Sequence, residues 1–121
     1  MRRAPSERLR QTLGEILDDI ALARSVVAGM DQELFAVDRR TVYAVIRALE
    51  NISDAASRLP DEVAGRYPAL PWVALRAAGS VYRHDDENVL NARVWAIVTQ
   101  TLPFLEAAIT AELRRLPPGP G

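Results

Sequence analysis

The chain has 121 residues, 49% apolar and 26% charged, with a formal net charge of −1 and no cysteine. That balance describes one globular domain and excludes a disordered chain, a disulfide-stapled miniprotein and a thiolate metal site. With His84 as the only histidine, a zinc or haem centre would need carboxylates for nearly every other ligand, so neither metal nor cofactor is expected.

All fifteen cations are arginine. A GC-rich genome accounts for such a bias, and arginine's planar fork also suits phosphate. At near-neutral net charge, RNA binding would need a local basic patch and not a basic domain. The start of the chain, Met1 to Glu7, is charged and lacks the apolar stretch of a secretory signal. No apolar run approaches the roughly 20 residues of a membrane span, so a cytoplasmic protein that does not enter the membrane is expected.

The first segment, about Ser6 to Gly29, repeats Leu9, Leu13, Ile16, Leu17, Ile20 and Val27 mostly at helical spacing, with Ala23 in the longer gap. Pro5 and Ser6 supply a start, with Ser6 a candidate N-cap, and Gly29 supplies a stop. A short helical turn over Asp31 to Val37 follows. Asp38 then reads as the N-cap of the next helix, whose stripe is Val42, Val45, Ile46, Leu49, Ile52, Ala56 and Leu59, ended by Pro60. From Pro60 to Pro71 the chain is a compact connection, with one helical turn predicted over Asp61 to Arg66. Trp72 to about Arg83 reads as a shorter helix weakened by Gly79. Asp85 or Asp86 caps the last helix, which carries Leu90, Val94, Ile97, Val98, Leu102, Leu105, Ile109 and Leu113 as far as about Leu116, with a kink at Pro103. No segment alternates with period two.

These elements predict an all-α fold, an antiparallel four-helix bundle with a short extra helical turn. The domain is expected over 1–116, and the Pro- and Gly-rich tail over 117–121 is expected to be disordered.

His84 is the first candidate for chemistry. It stands between two helices, flanked by Arg83 and by Asp85, Asp86 and Glu87, and histidine is the side chain that ordinarily titrates near neutrality. A solvated loop histidine would fit the same pattern. Arg47, Glu50 and Asp54 share one helix face, which equally describes an intrahelical salt bridge on a solvated surface. Trp72, Trp95, Tyr43, Tyr67 and Tyr82 could stack bases, or anchor the core.

Several segments together resemble a known family. They are Glu7-Arg8-Leu9-Arg10, the helix from Tyr43 to Pro60, the connection Tyr67-Pro-Ala-Leu-Pro-Trp72, Val94-Trp95, and Thr101-Leu-Pro-Phe-Leu105. Over nearly the whole chain the order resembles the HepT-like branch of the HEPN superfamily. The resemblance implies a homodimeric helical bundle that acts as a metal-independent RNA endonuclease. It also implies the toxin role in a toxin–antitoxin pair, with a minimal nucleotidyltransferase as antitoxin partner and RNA as substrate.

The family motif, Arg-x4-His-x-Tyr, places its histidine on His84, its arginine on Gly79 and its tyrosine on Asp86. In the family, histidine handles the proton of the RNA 2′-hydroxyl or of the leaving oxygen, and arginine stabilises charge on the phosphoryl group. Arg76, one turn before Gly79, and Arg83, next to His84, are the candidate replacements for that arginine. Tyr82 is the candidate replacement for the tyrosine that the antitoxin is thought to adenylylate. A non-catalytic relative that binds a nucleotidyltransferase is the other reading, and a generic structural or dimerisation bundle is a third.

Overall fold

The computed structural model describes residues 4–81 and 87–117, with side chains over 4–76 and 90–117. Every regular element among them is helical: α1 (Pro5–Val26), α2 (Gln32–Val37), α3 (Arg39–Ser57), α4 (Asp61–Arg66), α5 (Trp72–Val81), α6 (Glu87–Ala96), a π-helical segment (Ile97–Thr101) and α7 (Leu102–Arg115).

The long elements form where apolar residues recur at helical spacing. On α1 the buried side is Leu13, Ile16, Ile20 and Ala23, and on α3 it is Val42, Val45, Leu49, Ile52 and Ala56. Each such leucine or isoleucine taken from water contributes about 1.5–3 kcal/mol. These faces meet in the core, where α1 lies against α3 and α7, and α3 also lies against α5. Neither α2 nor α4 is long enough to hold itself together, and each is attached by one buried anchor, Phe35 and Val63.

The ends follow side-chain chemistry, with one correction. Asp31 accepts from the Leu34 amide at 2.8 Å and Asp38 from the Thr41 amide at 3.3 Å, so both aspartates cap helices. Ser6 does not. Ala4 is the N-cap, and α1 begins one residue early because Pro5 has its φ already set for the first helical position. That helix also stops sooner than expected, at Val26, and the turn that follows closes at Gly29, whose φ of +80° lies in the region that disfavours a side chain. Similarly, α3 ends at Ser57, short of Pro60.

Pro103 does not simply kink the last helix. It lacks an N–H, and in a regular α-helix its ring would press on the Thr99 carbonyl. Instead, the turn before it widens, and the Leu102 amide reaches back five residues to the Ile97 carbonyl. The wider turn also keeps the apolar face in register: Val94, Val98, Leu102, Leu105 and Ile109 all remain buried. Continuous helix from Leu90 to Arg115 is long and apolar enough, by length and composition, to cross a membrane. This corrects the expectation that no segment approaches such a span. Its buried side chains here are core residues that pack within the domain, and a core helix satisfies the same criterion.

Candidate active site

The connection Tyr67–Trp72 sets where α5 begins. Leu70 donates its amide to the Tyr67 carbonyl (3.1 Å), and Trp72 donates its amide to the Leu70 carbonyl (2.9 Å). The Trp72 indole Nε1 also donates to the Tyr67 carbonyl at 2.9 Å, folding the two aromatic residues onto one turn. Tyr67 is in turn held by a carboxylate on α7. Its hydroxyl donates to Glu112 Oε1 at 3.0 Å, while Arg66 donates Nε to Oε1 (2.8 Å) and a terminal nitrogen to Oε2 (2.7 Å).

Glu112 is only 1% exposed, and this two-pronged pairing lets its charge stay buried. The bonds from Arg66, aided by Tyr67 and outweighing the cost of burial, hold the Glu112 carboxyl below the usual carboxylate range. Burial, then the bond to Glu112, pushes the Tyr67 hydroxyl up. Glu112 was not legible as a special residue in the sequence. It sits where an apolar stripe would have placed a leucine, and an acidic residue on the buried side of a helix is the one signal that could have marked it.

A pH dependence follows. A carboxyl whose folded pKa is lowered adds stability above its unfolded value and loses it as pH falls through the folded value. Glu112→Gln should therefore be less stable than the parent at pH 7, by about 2 kcal/mol. Arg66, partly open to water, can rehydrate, which limits the loss. The gap should close as pH falls below the ordinary value of 4.5. Urea denaturation at pH 7 and pH 3 measures it. A gap that persists unchanged at pH 3 would mean that the charge of Glu112 is not what holds the connection.

From Trp72, α5 runs along α3. Ser53 Oγ donates to the Arg76 carbonyl at 2.8 Å, and Arg76 Nε donates to the Ala56 carbonyl at 3.3 Å. Ala56 lies in the last turn of α3, where the helix dipole is negative, and its carbonyl also accepts from the Leu59 amide at 3.2 Å. Arg76 is thus half-buried and bound through Nε to the end of α3, so a phosphate contact would fall to its two terminal nitrogens. Gly79 follows one turn later in the same helix.

His84 and Arg83 lie outside the described residues, as do Tyr82, Asp85 and Asp86. In the sequence they fall between α5, which ends at Val81, and α6, which begins at Glu87. Both flanks are anchored. On the far side, the amide of buried Asn91 donates to the Ala36 carbonyl at 3.2 Å, and the Phe35 and Trp95 rings meet at 5.2 Å between centroids with a 41° tilt. Of the two helices that flank His84 in the sequence, α5 thus docks on α3 and α6 on α2.

The Arg47–Glu50–Asp54 face is arranged differently from its spacing. Asp54 pairs with Arg58, and Arg58 reaches across to Glu15 on α1 at 2.7 Å, while Arg47 stays exposed. Nearby, partial burial raises the Asp19 carboxyl despite a hydrogen bond from Asn51 at 3.4 Å, with Asp18 and Glu15 adding to the rise. Among the aromatic candidates, Trp72 is buried, Trp95 and Tyr67 are half-buried, and Tyr43 stands 60% exposed. Among the described residues, no group of three or more His, Asp or Glu side chains is placed to hold a metal ion.

A protein of Methanocaldococcus jannaschii named as a candidate RNase is 28% identical over 99 residues, covering 82% of each chain. A protein of Thermococcus cleftensis named as a probable ribonuclease HepT is 28% identical over 102 residues, covering 81% of this chain and 93% of that one. A second M. jannaschii protein, also named as a candidate RNase, is 27% identical over 102 residues, covering 84% and 88%. No solved structure matches. The family model described as ribonuclease HepT-like matches residues 16–112, a span that runs from Ile16 in the α1 core to Glu112 beneath the connection and contains His84. This chain belongs to the ribonuclease HepT-like family.

Proposed function

We propose that this protein is a metal-independent endoribonuclease, the toxin of a toxin–antitoxin pair, working in the cytoplasm as a homodimer of antiparallel four-helix bundles. The observation that carries the reading is the family match across 16–112, a span that includes His84, the residue that the resemblance aligns with the motif's histidine. In this reading the RNA 2′-hydroxyl attacks the adjacent phosphorus and the P–O5′ bond breaks. His84 takes the hydroxyl proton or supplies one to the leaving oxygen. Arg83 and the terminal nitrogens of Arg76 stabilise charge on the phosphoryl group in place of the arginine that Gly79 replaces.

Phe104, 72% exposed, borders an open groove of about 400 Å³ with Pro68, Ala69 and Leu70. An exposed aromatic beside such a groove supports burial against a second copy. Light scattering should then report twice the chain mass of 13.4 kDa. A particle of single-chain mass at micromolar concentration would refute the dimer.

The exchange of the motif arginine for Gly79 and of the tyrosine for Asp86 favours a second reading: a catalytically inactive relative that binds a minimal nucleotidyltransferase. One assay separates the two. The purified chain is incubated with RNA and excess EDTA, and the products are resolved on a denaturing gel. Cleavage that depends on His84 supports the nuclease. Intact RNA, together with a stable complex with the nucleotidyltransferase, supports the binding partner. Mass spectrometry after incubation with that partner and ATP tests Tyr82 as the adenylylation acceptor.

A further inference from the structure

The near-neutral charge of the chain demands a local basic patch if RNA is to bind, and α3 carries one. From Arg39 to Leu49 the helix contains no acidic residue, while Arg39, Arg40, Tyr43 and Arg47 recur at steps of three and four and are all exposed. They therefore form one stripe, with Arg40 and Arg47 about 10 Å apart along the axis. Tyr43 is held in place. Arg39 donates to its hydroxyl at 3.1 Å and lies over its ring at 5.8 Å from the centroid.

Beside Tyr43 is a recess of about 230 Å³, walled by Ala36 of α2, Arg39, Val42, Ile46, Leu90 and Asn91. Leu90 and Asn91 belong to the first turns of α6, directly after the connection that carries His84. The acidic groups in the neighbourhood limit where a polyanion can lie. Asp31 and Glu33 border the adjoining cleft, which also touches Ala36 and Asn91, and Asp38 is occupied as the α3 cap. Glu50 is half-buried one turn past Arg47, and Asp19 lies within electrostatic reach of Arg47. The favourable path for phosphates runs along the stripe from Arg40 to Arg47, away from Asp31 and Glu33.

We propose that the stripe Arg39–Arg40–Tyr43–Arg47 is a binding track for single-stranded RNA, with one base stacked on Tyr43 at the recess and flanking phosphates against Arg40 and Arg47. The proposal rests on the ribonuclease reading and names how that site would take its substrate. A ring, a cation that orients it and a recess of this size suit an unstacked base, which a duplex does not offer. Charge complementarity to phosphate supplies the rest.

The test uses the full chain carrying His84→Ala, so that the probe stays intact. A fluorescein-labelled RNA of about 12 nucleotides is titrated by anisotropy at several salt concentrations. Tyr43→Ala should weaken binding about tenfold, whereas Tyr43→Phe, which keeps the ring, should stay within about twofold. Arg40→Gln and Arg47→Gln should each lower the slope of log affinity against log salt by about 0.7. Arg114→Gln, at the end of α7, should change little. All these positions are exposed, and circular dichroism confirms folding. RNA that binds equally to every variant overturns the track and leaves the ribonuclease reading intact, as would be the case if the stripe faced an acidic protein. No RNA binding by any form, with no cleavage by the parent, overturns both.

Discussion

Replacing His84 with alanine is expected to slow RNA cleavage by about 10²–10⁴-fold, the usual contribution of a positioned proton-transfer group. The chain has no other histidine and no cysteine, so no second side chain of ordinary near-neutral titration can take over. Single-turnover rates in EDTA, with the enzyme in excess, measure the chemical step without product release. Arg83→Ala and Arg76→Ala in the same assay separate the roles. An arginine that grips phosphate only in the transition state lowers the rate when it is removed, without changing RNA affinity. Arg76→Ala should also lower stability, because Arg76 donates to the Ala56 carbonyl at the end of α3. Parent-like rates in all three variants would remove the proposed site altogether.

Phe35→Ala is expected to destabilise the fold by about 3–5 kcal/mol, the range for emptying a buried aromatic site. Phe35 is fully buried, and its ring meets Trp95. Six residues do not make a stable helix alone, so α2 depends on this ring, on its Asp31 cap and on the bond from Asn91 to the Ala36 carbonyl. Against a total stability of about 5–15 kcal/mol for a domain, the loss is large. It should also loosen the docking of α6, and with it one flank of the connection that bears His84. Urea denaturation gives the number, and hydrogen exchange at α2 and α6 shows where protection falls. A loss below about 1 kcal/mol would mean that α2 is held chiefly by its cap.

How much of the fold and site is legible in the sequence depends on the range of the interaction. Helix positions follow from near neighbours: apolar residues three and four apart, an aspartate before a helix, a proline at its first turn. The stripes of α1 and α3, the short helices α2 and α4, and the Asp38 cap are readable for that reason. Ser6 misleads because two adjacent residues each offer a start, and the preset φ of Pro5 prevails. The turn before Pro103 can be foreseen as a disturbance but not as a widened turn. Choosing between a kink and an extra residue depends on which keeps Leu102 and Leu105 against the core.

By itself the sequence determined where the main helices run, because their apolar stripes and most of their end signals are local along the chain. Tertiary structure alone decided how the segments before α5 and beside α3 are held. Glu112 can stay charged in the interior only because Arg66 and Tyr67, far away in sequence, close around it. Arg76 meets the carbonyl end of α3 only because α5 packs there, and Tyr43 gains a recess only because α6 brings Leu90 and Asn91 alongside. A buried charge and a recess between helices are both properties of distant segments brought together, and no periodicity within one helix encodes them.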